Sequence, residues 1–73
     1  MSGNSAPTVS TEQVEALVKQ KLQGRAWDIR LIIEDGGVIL QGRARTYYAK
    51  QLAQHVAMEF IQLPIRANQI EVG

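Results

Sequence analysis

From Trp27 to Arg45 the chain reads WDIRLIIEDGGVILQGRAR, and apolar residues alternate with polar ones on both sides of Asp35-Gly36-Gly37. Alternation of period two marks a strand with one buried face. Trp27, Ile29, Leu31 and Ile33 share one face of a first strand over about 27–34, and Asp28, Arg30, Ile32 and Glu34 share the other. Asp35-Gly36 predicts a type I′ hairpin turn, because both residues tolerate positive φ. A second strand over about 37–44 puts Val38, Leu40, Gly42 and Ala44 inside and Ile39, Gln41 and Arg43 outside. With that turn Ile33 faces Val38, Leu31 faces Leu40, Ile29 faces Gly42 and Trp27 faces Ala44. On the outer face Ile32 meets Ile39, Arg30 meets Gln41, and Asp28 meets Arg43. A Gly36-Gly37 turn would keep both faces and change the individual pairs.

Elsewhere the apolar period is helical. Val14, Leu17, Val18 and Leu22 make one stripe of a first helix over about 11–23. Ser10 and Gln13 have the spacing of a capping box, Val9 and Val14 that of a hydrophobic staple, and Gly24 is a candidate stop. Glu12 and Glu15 sit in the first turns and Lys19 and Lys21 near the end, as the helix dipole favours. Thr46 is a candidate N-cap for a second helix carrying Ala49, Leu52, Ala53, Val56 and Phe60 through about Gln62, where Pro64 stops it. RANQIEVG closes the chain as a third strand, with Asn68, Ile70 and Val72 on one face. The order is α-β-β-α-β, an α+β arrangement in which two amphipathic helices can cover one face of a three-stranded sheet. Residues 9–73 form the one domain, and the small polar start, Met1 to Thr8, reads as a disordered tail.

Length sharpens this picture. At 73 residues the chain buries only roughly 60% of its unfolded surface. It has no cysteine, so neither a disulfide nor a zinc–thiolate cluster staples it. Stability therefore rests on one small core, helped by any self-association. A net charge of +1 is too balanced to argue for nucleic acid. The start carries no signal peptide, so the chain as written reads as cytoplasmic; a domain excised from an envelope protein would read the same.

The stretch DGGVILQGRA, the alanine-bearing helix AKQLAQHVA and the closing NQIEV stand in a recognisable order. Gly36 or Gly37, Val38, Leu40 and Gly42, then Asn68, Ile70 and Val72, resemble the pattern of the BON domain, a small bacterial module of osmotic-shock, nodulation and outer-membrane proteins. The resemblance implies an αββαβ sandwich with the third strand parallel to the second. It also implies a non-catalytic module that binds phospholipid surfaces or other partners. One segment departs from the pattern. Where the family carries a Gly-Val-x-x-Val link before the last strand, this chain has IQLPIRANQI.

Candidate chemistry is sparse. His55 is the only histidine, and nothing sets a nucleophile and a carboxylate beside it, so a helix-surface pair with Glu59 is the preferred reading. No cofactor and no metal site is expected, and no enzymatic activity. Gly36-Gly37 reads as a turn and not as a phosphate cradle, since no Lys or Ser follows and no helix opens there. What needs explaining is Ile32 and Ile39 on an otherwise polar face. Burying an isoleucine is worth roughly 1.5–3 kcal/mol, which favours a covered contact surface formed by Arg30, Ile32, Ile39 and Arg43. A protein partner or weak homo-oligomer is the expected occupant. A phospholipid surface touched by Tyr47, Tyr48 and Lys50 on the second helix is the alternative. Single-stranded nucleic acid ranks below both, because isoleucines cannot stack bases.

Overall fold

The structure, a computed structural model, describes residues 10–73. The expected staple residue Val9 and the expected tail, Met1 to Thr8, lie outside the described residues. Helix α1 spans Thr11–Leu22, β1 Ala26–Glu34, β2 Gly37–Ala44, α2 Tyr47–Phe60 and β3 Ile65–Val72. The sheet order is β1-β2-β3, with β1 antiparallel and β3 parallel to β2. Val14, Val18 and Leu22 of α1 and Ala49, Ala53, Val56 and Ala57 of α2 are buried over one face of the sheet. Leu31, Leu40 and Ile70 meet them from below. Three of the four buried α2 residues are alanines, whose small side chains let the helix approach its neighbours closely. This is the expected αββαβ sandwich.

Local signals set the element ends. Ser10 Oγ accepts from Gln13 N–H at 3.1 Å, and Gln13 Oε1 accepts from Ser10 N–H at 3.1 Å, completing the capping box. Thr46 Oγ1 accepts from Ala49 N–H at 3.0 Å and caps α2. The first helix closes one residue earlier than expected, on a left-handed Gln23 whose N–H reaches Lys19 O. The second ends at Phe60, two residues short of the expected Gln62, because Ile61 turns extended and buries its side chain. Pro64 lacks an N–H, yet its carbonyl accepts from Val38 N–H at 2.9 Å and so starts the β2–β3 pairing.

The hairpin turns at Asp35 (φ 53°) and Gly36 (φ 74°), with Glu34 opposite Gly37, so the two-residue turn is the one formed. From there Ile33↔Val38, Ile32↔Ile39, Leu31↔Leu40 and Arg30↔Gln41 pair as expected. The expected register then fails. A bulge sets Trp27 opposite Arg43 and Ala26 opposite Ala44. Asp28 takes up the extra residue in the left-handed region (φ 55°). Consequently Trp27 does not face Ala44, Asp28 does not face Arg43, and Ala26 fills the inner position expected of the tryptophan. Ile33 is the second correction on the inner side: it lies at the hairpin end and is 48% exposed.

Gly42 is what permits the bulge. A Cβ there would lie 2.9 Å from Ile29 Cδ1 and 3.1 Å from the carbonyl oxygens of Trp27 and Asp28, and φ is +148°. Two polar side chains then tie layers together. Asn68 Nδ2 donates to Lys50 O (3.1 Å) and Gln54 Oε1 (3.2 Å) on α2, and Asn68 Oδ1 accepts from Ile70 N–H (3.2 Å). Because Ile70 N–H can only donate, the amide orientation is determined. Glu15 Oε2 accepts from Leu31 N–H at 2.8 Å, so α1 occupies one of the outward donors of the edge strand β1.

Two stability predictions follow from this packing. Gly42→Ala should cost about 2–4 kcal/mol, the sum of left-handed strain and overpacking. Gly24→Ala, where nothing lies within 4 Å, should cost clearly less. Urea midpoints of the two variants check this; equal losses would contradict it. Asn68→Ala should cost about 1–2 kcal/mol through lost hydrogen bonds. Asn68→Asp should be worse at pH 7, since a carboxylate would face the Lys50 carbonyl. That clash raises the folded-state pKa of the new carboxyl, so the gap between the two variants should narrow as pH falls towards about 4.

Candidate functional site: the open face of the sheet

The helices cover one face, and no element among the described residues covers the other. Its side chains come from alternate positions and form rows across the strands. Ile32, Ile39 and Ala67 make one row, since Ile39 pairs with both Ile32 and Ala67. Arg30, Gln41 and Gln69 make the next, and Trp27, Arg43 and Glu71 the one after. Ile32 is 39% exposed, and Ile39 and Ala67 are half-buried by their neighbours. The bulge opens a shallow depression between the polar rows, lined by Asp28, Arg30, Gln41, Gly42, Arg43 and Glu71.

The charges on this face differ in how they are engaged. Arg43 pairs with Glu71 at 3.7 Å, the acid on the neighbouring strand. Arg66, the bulged residue of β3, lies over Gly37 and pairs with Asp35 at 3.3 Å. Both pairs are solvent-exposed and worth little to stability. Arg30 and Glu34 flank Ile32 on the same strand and have no ion-pair partner among the described residues. Trp27 is the residue that sequence reasoning missed here. The bulge moves it to the open face, where the Arg45 guanidinium stands 5.7 Å from the ring centroid. An isolated glycine on the neighbouring strand, Gly42, was the available signal of a bulge.

The structure brings Arg30, Ile32, Ile39 and Arg43 together on this face. Tyr47, Tyr48 and Lys50 lie apart from it, in the first turn of α2. Tyr47 and Tyr48 are 63% and 66% exposed. Tyr47 Oη accepts from Gln51 Nε2, and Lys50 is half-buried with its carbonyl engaged by Asn68. Met58 is also exposed, but it is eleven residues further along the helix, with Gln51, Gln54 and His55 between. His55 is exposed and makes no ion pair with Glu59 among the described residues. No helix among the described residues is long and apolar enough to cross a membrane.

Comparison with known proteins adds one finding. A family model described as the BON domain matches residues 10–73. No curated protein matches the chain. The matched span begins at the α1 N-cap and takes in all five elements, including Gly42 of the bulge and Asn68 of the β3–α2 tie. The chain therefore belongs to the BON domain family, a family of small non-catalytic binding modules.

Proposed function

We propose that this chain is a binding module that contacts a protein, either a partner or another copy of itself, through the open face of its sheet. The observation that supports this is the direct pairing of Ile32 with Ile39 on a face that no element among the described residues covers. With Ile32 exposed and Ile39 half-buried, the pair leaves apolar area in water, and another chain laid over it recovers that area. The surroundings suit a reversible contact. Arg30, Gln41, Gln69, Arg43 and Glu71 supply a polar rim, and Trp27 adds a large amphipathic side chain at its edge. Attachment to a phospholipid surface through Tyr47, Tyr48 and Lys50 is the competing reading, favoured by the exposure of the two tyrosines. The polar residues that separate them from Met58 weigh against a continuous apolar patch.

Photo-crosslinking separates the two. A photoreactive residue replaces Ile39 in one variant and Tyr47 in another, and each is irradiated in cells producing the chain. The sheet-face reading predicts protein adducts from position 39 and not from position 47. Lipid adducts from position 47, with none to protein from position 39, would contradict it.

A further inference from the structure

We infer that the occupant of the open face is a second copy of this chain, docked sheet to sheet with its strands reversed. This rests on the sheet-face reading above and goes beyond it by naming the partner and its register. The evidence is a self-complementary arrangement of charge. Along β1 the outward side chains read Arg30, Ile32, Glu34, a cation and an anion placed symmetrically about an isoleucine. Each lies two residues from Ile32, or about 6.8 Å along the strand. Neither has an ion-pair partner among the described residues.

Consider a two-fold axis lying in the interface, perpendicular to the strands, over the Ile32–Ile39–Ala67 row. Such an axis leaves that row facing itself and reverses everything along the strands. Ile32 meets Ile32 and Ile39 meets Ile39 of the second copy. Arg30 then lies opposite Glu34 of the second copy, and Glu34 opposite its Arg30. One contact is made twice, as an isologous interface requires. Gln41 falls opposite the Arg66 side chain that covers Gly37, and Arg66 is already neutralised by Asp35. The other in-plane axis, parallel to the strands and centred on β2, sets Arg43 against Arg43 and leaves Arg30 opposite Gln69, with no charge match. Sheets packed face to face keep their strands nearly aligned, which this arrangement satisfies.

The face is small. Three strands at about 4.8 Å spacing and a few rows of side chains fall short of a standard interface, so the dimer is weak and exchanges rapidly. The full chain is followed by sedimentation and by amide shifts on dilution from about 1 mM, a range set by the affinity expected of so small an interface. The wild-type chain should show a concentration-dependent dimer, with shifts centred on residues 30–34 and 37–41. Arg30→Glu and Glu34→Arg should each weaken association by about tenfold or more, through two like-charge contacts per dimer. Mixed one to one, the two variants should recover dimer as a heterodimer, because both charge pairs are then restored. Both substitutions are at exposed positions and leave the core untouched.

A dimer that forms but is not recovered on mixing would overturn the register. A chain that stays monomeric throughout would overturn the second copy as occupant. Either result leaves the sheet-face reading standing if position 39 still crosslinks to another protein. A dimer indifferent to Ile32→Asp/Ile39→Asp would sink both proposals.

Discussion

The register of one hairpin decides which side chains this small domain hides and which it shows. It is pinned at two places. At the tip, Asp35 and Gly36 make a two-residue turn that sets Glu34 against Gly37. Near the base, Ile29 packs against the bare Cα of Gly42, and the chain bulges at Asp28 to allow it. Between these points the strands alternate strictly, so Leu31 and Leu40 enter the core and Ile32 and Ile39 do not. Below the bulge the faces exchange: Ala26 goes in and Trp27 comes out. A one-residue slip would reverse every one of these assignments.

The rest of the molecule reinforces that choice. Both helices bring their apolar stripes to the same side, and Asn68 and Glu15 fix them with hydrogen bonds to α2 and β1 that a shifted sheet would break. A chain of this size buries little apolar surface, so each such tie is a large fraction of its stability. The uncovered face is the consequence. Two helices suffice for one side of three strands, and no further element remains among the described residues to cover the other. An uncovered face thus arises from the architecture itself, with Ile32 and Ile39 at its apolar centre.

Much of this was legible in the sequence because the signals are local. The Ser10–Gln13 box, the Thr46 cap, the Asp35-Gly36 turn and the 3.6-residue stripes each depend on residues a few positions apart. The αββαβ order and the outward placement of Ile32 and Ile39 followed from them. The bulge was not legible in the same way. Alternation through Trp27, Ile29 and Leu31 looks the same whether or not an extra residue intervenes, and only Gly42 on the opposite strand hinted at it. Asn68 read as a strand position of the family pattern, with no partner assigned, and Glu15 as a helix-dipole charge. Their partners lie 18 and 16 residues away, beyond the reach of a periodic pattern. Ile33 belonged to the inner set by parity, but parity says nothing of how far the covering helices extend.

The cross-strand contacts of Trp27 in solution test the central claim most directly. Nuclear Overhauser effects should connect Trp27 with Arg43 across the hairpin and Ala26 with Ala44, and the ring current of Trp27 should shift the Arg45 side-chain methylenes upfield. Cross-strand contacts joining Trp27 to Ala44, with the indole packed among the helix residues, would contradict the bulge and the division of faces built on it.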